Sequence, residues 1–332
     1  MKTLRFTDSP LKVFGVPFFE ETKTIKRLPD SIMEKLPNLS FLGKRCPGAR
    51  LCFRTDAESF DVTLTFKTLS VDIGMSIYSC QSAAVLLGDR RNFRLEGLIS
   101  PPDYNTKTSV RTVKKSSDME DVTIFLPRNE IIEDLTFSFP DDVKVEEPTP
   151  YTYGPVVFYG SSITEGGCCQ SIFNAYNAIL SNRLNMDYYN LGFSGNARGE
   201  LIVADFINTI PMKAFVFDYD HNAPTVEHLR DTHEAFFLRI REKNPNLPII
   251  MMSRPGRTDR FEERREIVKN TYENAFARGD ENVYFIDGQT FFGDKDRNLC
   301  LVDNIHPNDL GFYRMAEVIE PIIKKALGIE KV

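Results

Sequence analysis

The hydrophobic period of this chain changes once, and that change dictates two kinds of sheet. From about residue 11 to 147 the period is two. Phe60, Val62, Leu64 and Phe66 alternate with Asp61, Thr63, Thr65 and Lys67, and Val71, Ile73, Met75 and Ile77 alternate with Asp72, Gly74, Ser76 and Tyr78. Successive side chains on a strand point to opposite faces, so each run predicts a half-buried strand. Val122, Ile124 and Leu126 continue the pattern, as do Leu135, Phe137 and Phe139. With turn residues between them, such as Gly88-Asp89 and Ser100-Pro101-Pro102, these runs predict an antiparallel sandwich of jelly-roll type, with one short helix around Asp30 to Leu36. Glu146-Glu147-Pro148-Thr149-Pro150 reads as a linker, because its prolines disfavour both helix and central strand. Beyond it, strands expected at Lys213 to Tyr219, Pro248 to Ser253 and Val283 to Asp287 alternate with helical patterns near Thr225 to Lys243, Arg260 to Arg278 and Asn308 to Leu327. Alternation of that kind implies a parallel sheet covered on both faces, a three-layer α/β sandwich. A length of 332 residues suits this division into a β-sandwich accessory domain, 1–148, and an α/β domain, 149–332.

Composition narrows the partners. A net charge of −6 without a basic cluster argues against nucleic acid, and no apolar run approaches the roughly 20 residues of a membrane helix. The opening M-K-T-L-R-F-T-D-S-P has no apolar core like that of a signal peptide, so a cytoplasmic location is expected. Six cysteines at irregular spacing fit neither a disulfide framework nor a zinc site.

The run Val156, Val157, Phe158 lacks a helical period and stops at Gly160, so it reads as a buried strand ending in a tight turn. Ile172, Phe173, Tyr176, Ile179, Leu180 and Leu184 then recur at helical spacing. Ser161 and Ser162 therefore sit at the carboxyl end of a strand, where open α/β sheets bind ligands. Backbone N–H groups there can stabilise an oxyanion, but a serine still needs a base. Asp303 and His306 stand three residues apart in Asp303-Asn304-Ile305-His306-Pro307, close enough to hydrogen-bond and leave the second imidazole nitrogen free for a serine proton. Taken singly, Ser162 reads as a helix cap and His306 as a surface loop residue. Taken together they read as nucleophile and base, with Asp303 fixing the tautomer. Of the other histidines, His233 falls on the apolar stripe of its helix, His228 lies off that stripe, and His221 sits at a strand end, close enough in sequence to line the site.

Four short blocks carry a resemblance. Gly160-Ser161-Ser162-Ile163-Thr164 is similar to the first conserved block of the SGNH (GDSL-type) hydrolases, whose nucleophile matches Ser162. Asn190-Leu191-Gly192-Phe193-Ser194-Gly195-Asn196 resembles the second block, Asp218-Tyr219-Asp220-His221-Asn222 stands where the third should be, and Asp303-x-x-His306-Pro307 matches the last. The resemblance implies a flavodoxin-like hydrolase domain, a serine esterase acting through an acyl-enzyme, and an oxyanion hole from the Ser162 and Gly195 N–H groups and the Asn222 amide. It places small acyl esters first among substrates, acetyl groups on sugars or oligosaccharides above all, with no cofactor and no metal. Two blocks depart from the pattern: Ser161 replaces the name-giving Asp, and Asp220-His221-Asn222-Ala223 replaces Gly-x-Asn-Asp. Both variants resemble a subgroup with an added N-terminal β-domain carrying a Gly-x-Asp-Leu-Tyr motif, and Gly74-Met75-Ser76-Ile77-Tyr78 is similar to it with Ser for Asp.

Each assignment has a plainer rival. Gly195 reads equally as a turn glycine, and Asn222 as a helix cap ahead of Ala223-Pro224. Arg254, after a strand, reads either as a substrate-binding group or as the partner of Asp259 or Glu262. Asp218-x-Asp220-x-Asn222 resembles the opening of a calcium loop, but Ala223 stands where the loop needs Gly and Leu229 where it needs Glu. Two further functions compete with the esterase: a non-catalytic carbohydrate-binding protein on the same fold, and a metal-dependent phosphoesterase using Asp218, Asp220 and Asp303. The β-sandwich either walls the active site or serves as a surface for homo-oligomers.

Overall fold

The structure is a computed structural model that describes residues 1–329. Ten strands come before residue 147: β1 (Lys2–Arg5), β2 (Lys12–Phe14), β3 (Arg50–Thr55), β4 (Ser59–Phe66), β5 (Ala83–Leu87), β6 (Arg94–Ile99), β7 (Thr108–Lys114), β8 (Glu120–Phe125), β9 (Ile132–Phe139) and β10 (Val145–Glu146). They pair antiparallel into two sheets, β1-β9-β4-β7 and β10-β3-β8-β5-β6, with β2 added on β3. Strand β4 buries every second residue, as its alternation predicts. Phe60, Val62, Leu64 and Phe66 meet Phe53, Val85, Ile124 and Phe137 in one core between the sheets.

The predicted strand at Val71 to Ile77 does not form. Val71 is 65% exposed and Ile73 fully so, Gly74 takes a φ of +82°, and the Met75 N–H closes a turn on the Asp72 carbonyl. Asp, Gly and Ser at the alternate positions offer local turn and cap bonds that compete with a ladder. Ser76 does so directly, accepting the Tyr78 N–H at 3.2 Å to cap helix α4 (Ile77–Gln81). Upstream, α2 (Asp30–Lys35) matches expectation, while α1 (Phe19–Thr22) and α3 (Ser40–Lys44) were not legible, being too short to show a helical period. Leu28, Ile32, Met33, Leu39 and Leu42 from this segment pack into the core of the C-terminal sheet.

That sheet is parallel, in the order β12-β11-β13-β14-β15, built from β11 (Tyr153–Gly160), β12 (Met186–Gly192), β13 (Ala214–Asp218), β14 (Ile249–Met252) and β15 (Val283–Ile286). Strands β14 and β15 carry no charged residue and the inner parts of β11 and β13 are apolar, because both faces of the sheet are covered. Helices α7 (Leu201–Ile207), α8 (Val226–Lys243) and α9 (Phe261–Ala277) cover one face, and α6 (Tyr176–Leu184) and α10 (Asp309–Ala326) the other. This is the expected three-layer α/β sandwich beside antiparallel sheets. The strand order reverses at β11, and an open sheet of this kind leaves its ligand crevice at the carboxyl ends on either side of that reversal.

Candidate active site

Strand β11 ends at Gly160, where a Cβ would collide with Thr164 Oγ1 and the Asp218 carbonyl. The chain then enters a single helical turn, α5 (Ser162–Glu165), whose cap is Ser161: its Oγ accepts the Ile163 N–H at 3.2 Å, and its own N–H donates to the Asp218 carbonyl. Ser161, which replaces the name-giving aspartate, thus still performs a cap. Ser162 is 6% exposed, and its Oγ lies 2.8 Å from His306 Nε2. On the other side of the ring, His306 Nδ1 is 2.9 Å from Asp303 Oδ2. Asp303 Oδ1 also accepts the Ile305 and His306 N–H groups at 2.7 and 2.6 Å. Burial pushes the Asp303 carboxyl up, but these bonds outweigh it and hold the group below its ordinary range.

The loop carrying this pair is closed on itself. Val302 N–H donates to the His306 carbonyl at 2.9 Å, and Asn308 N–H to the Cys300 carbonyl at 2.9 Å. Asn308 caps α10 by accepting the Gly311 N–H, and its amide donates to the Leu299 carbonyl.

Gly160 pairs with Gly192 on one side and with Asp218 on the other, so the loops after β11, β12 and β13 leave the sheet at one level. That common level brings the three expected oxyanion donors to the same edge. Gly195 lies in an exposed turn with φ +69°. Neither its N–H nor that of Ser162 donates to a protein acceptor among the described residues. Asn222 spends one amide hydrogen on the Phe193 carbonyl at 2.8 Å. It does not cap α8, because Thr225 fills that position by accepting the His228 N–H.

Arg254 is not a surface group awaiting substrate. It is 3% exposed, and its Nε and backbone N–H each reach an Asp220 carboxylate oxygen at 3.1 Å while an Nη donates to the Asp220 carbonyl. Asp259, one of the two expected partners, is 3.8 Å away, and Arg264 joins the same carboxylate. Two buried guanidinium groups thereby hold the Asp220–Asn222 turn in place. His221 packs against Gly256, which the Asn304 carbonyl of the Asp303 loop also approaches. Among the described residues its Nε2 is buried without a partner, and burial first, then Arg254 and His306, drive its pKa well below the ordinary value, so the ring is neutral. His233 is buried in α8 with Nδ1 2.8 Å from Thr271 Oγ1, and His228 Nε2 meets the Arg198 carbonyl.

The aspartates of the phosphoesterase alternative are not gathered. Asp220 belongs to its arginines, and burial, with Asp220 beside it, pushes the Asp218 carboxyl well up from its ordinary value, while Thr164 Oγ1 donates to Asp218 Oδ2 at 3.3 Å. Among the described residues no three His, Cys, Asp or Glu side chains are placed to share a metal ion.

One feature had no signal in the sequence. Glu165, at the end of the Ser162 turn, is fully buried between Arg27 at 3.4 Å and Arg128 at 3.2 Å, both from the N-terminal part. Partners so remote in sequence are invisible to spacing.

Three solved structures share the fold over nearly the whole chain. A protein described as a GDSL-like lipase from Bacteroides ovatus is 22% identical, with TM-score 0.88 over 99% of this chain and 98% of that one. The salicylyl-acyltransferase SsfX3 of a tetracycline biosynthetic pathway is 19% identical, with TM-score 0.81 over 99% and 98%. The acetyl xylan esterase Est2A from the rumen bacterium Butyrivibrio proteoclasticus is 15% identical, with TM-score 0.62 over 99% and 100%. No curated protein matches in sequence. The sequence profile of the GDSL-like lipase/acylhydrolase family matches residues 153–324, more than half of the chain, and this protein therefore belongs to that family of carboxylic ester hydrolases.

Proposed function

We propose that the protein hydrolyses short acyl esters, acetyl esters of carbohydrates first, through an acyl-enzyme on Ser162. The observation that carries this reading is the unbroken relay from Ser162 Oγ to His306 Nε2, 2.8 Å, and from His306 Nδ1 to Asp303, 2.9 Å. His306 takes the hydroxyl proton as Oγ attacks the ester carbonyl, and the new oxyanion turns toward the Ser162 and Gly195 N–H groups and the free hydrogen of the Asn222 amide. The imidazolium then protonates the departing alcohol. Water, deprotonated by the same ring, releases the acid and restores Ser162. Asp303, held ionised, keeps the ring in the tautomer this sequence requires.

The N-terminal sheets take part as a wall of the site. Their 67–76 loop reaches the nucleophile segment, where the Cys168 N–H lies 2.9 Å from Met75 Sδ. The acetyl xylan esterase named above supports the acetyl-carbohydrate choice. A binding protein without catalysis would have no use for every member of the relay.

The test is hydrolysis of p-nitrophenyl esters of increasing chain length. Activity should peak at acetate, ignore EDTA, and vanish in Ser162→Ala together with labelling by a fluorophosphonate. Acetate turnover surviving in that variant rules out the nucleophile, and a peak at long chains rules out the short-acyl preference.

A further inference from the structure

Gly195 can serve the proposed oxyanion hole only if its N–H faces Ser162, and glycine alone does not set that direction. Ser194 and Gly195 are the central residues of a turn closed by the Asn196 N–H on the Phe193 carbonyl, 2.9 Å. A φ of +69° at Gly195, with Ser194 outside the left-handed region, makes this a type II turn. Types I and II share their ends and differ by a flip of the central peptide, the unit that carries the Ser194 carbonyl on one side and the Gly195 N–H on the other. The two turns therefore aim that N–H in opposite directions, and glycine at this position accepts both.

Two side chains outside the relay hold one of them. Asn196 Nδ2 donates to the Ser194 carbonyl at 2.8 Å. In a planar trans peptide the C=O and N–H are antiparallel, so a donor fixed on the oxygen decides where the hydrogen points. It also polarises the peptide and strengthens the N–H as a donor. Asn196 is itself oriented, because its Oδ1 accepts from Asn38 Nδ2 at 3.3 Å, between α2 and α3. Glu165 Oε2 accepts the Ser194 N–H at 2.9 Å while Arg27 and Arg128 hold the carboxylate. Because Glu165 ends the turn that begins with Ser162, this one carboxylate sets the spacing between the nucleophile and the Gly195 turn.

We infer that Asn196 and Glu165 are positioning residues for the oxyanion hole: Asn196 aims the Gly195 N–H, and Glu165 ties its turn to the nucleophile. Neither touches the reacting atoms, and the inference rests on Ser162 being the nucleophile. Asn38, Arg27 and Arg128 give the N-terminal part a share in catalysis that a mere wall would not have.

Three variants test it with p-nitrophenyl acetate and a trifluoromethyl ketone, which forms a tetrahedral oxyanion on the serine. Asn196→Ala removes the donor, and Asn196→Asp keeps the acceptor for Asn38 while losing the donor. Ser194→Pro fits the first central position of a type II turn and deletes the N–H that Glu165 accepts, together with a hydroxyl that makes no hydrogen bond among the described residues. Both Asn196 variants should lose about 10- to 100-fold in kcat with KM moving less than about threefold. The pH profile of the uncharged Asn196→Ala should not move, and the inhibition constant of the ketone should rise by the same factor as kcat/KM falls. Ser194→Pro should show the same pattern to a smaller degree. Asn196 variants with kcat within about twofold of wild type, or with kcat lost but ketone affinity intact, overturn the role of Asn196. An unchanged Ser194→Pro overturns that of Glu165. Activity surviving in Ser162→Ala is a separate result, which removes the nucleophile whatever the Asn196 variants do.

Discussion

Two imidazoles of this chain sit in opposite surroundings. His306 is half-buried at the rim, with an acceptor on one nitrogen and a serine hydroxyl on the other. His233 stacks on Phe217, 4.5 Å between ring centroids, and burial lowers its pKa from the ordinary 6.5 to about 3. The unfolded chain then binds a proton below pH 6.5 that the folded chain refuses, so stability is complete above that pH and falls as pH drops toward 3. Each pH unit inside the window costs about 1.4 kcal/mol per such group, and His221 adds a second of the same sign. We predict that His233→Leu has a shallower loss of urea stability between pH 6 and 4 than wild type; equal slopes contradict it. At this scale the sequence told the two histidines apart, one on an apolar helix stripe and one beside an aspartate. It left Arg254 and Asn222 open, because which partner a long side chain meets depends on elements that are distant along the chain. The fold gave Arg254 to Asp220 and turned Asn222 to the Phe193 carbonyl.

Elements with a long period were legible, and short ones were not. Helices α8, α9 and α10 and strands β13 to β15 lie within one or two residues of their expected bounds, since each repeats its pattern often enough to be unambiguous. The Val71 to Ile77 run had the right alternation but no partner strand, and its cap and turn residues won. A cap also governs the site. Asn308 holds the Gly311 N–H at the start of α10 and the Leu299 carbonyl across the His306 loop. Asn308→Ala should cost about 1 kcal/mol of stability and reduce kcat by loosening the loop, as urea titration and steady-state kinetics on one preparation would show. A variant as stable and as fast as wild type refutes the cap's role.

In the whole molecule, the expected boundary at residues 148 and 149 crosses continuous cores. Ala84, Leu86 and Phe125 share a cluster with Val156, Phe158 and Tyr188. Arg50 of β3 pairs with Asp187 of β12, and Arg27 and Arg128 pair with Glu165. Buried charges of this kind stabilise only as a set: removing one partner strands the others out of water and typically costs about 3–5 kcal/mol. We propose that 1–148 and 149–332 unfold as one unit. Arg128→Met should lower the urea midpoint of the far-ultraviolet and tyrosine-fluorescence transitions together, and residues 149–332 expressed alone should not fold. Two separated transitions, or a folded fragment, would refute this.

The sequence by itself determined the two classes of sheet, the place of Ser162 after a buried strand, and the nearness of His306 to Asp303, because hydrophobic period and short-range spacing are local properties. Only the tertiary structure decided that Ser162 meets His306 across 144 residues, that Arg254 is a buttress, and that Glu165 and Asn196 brace the Gly195 turn. Those contacts follow from how strands stack and where loops leave the sheet, and the pattern along the chain does not encode them.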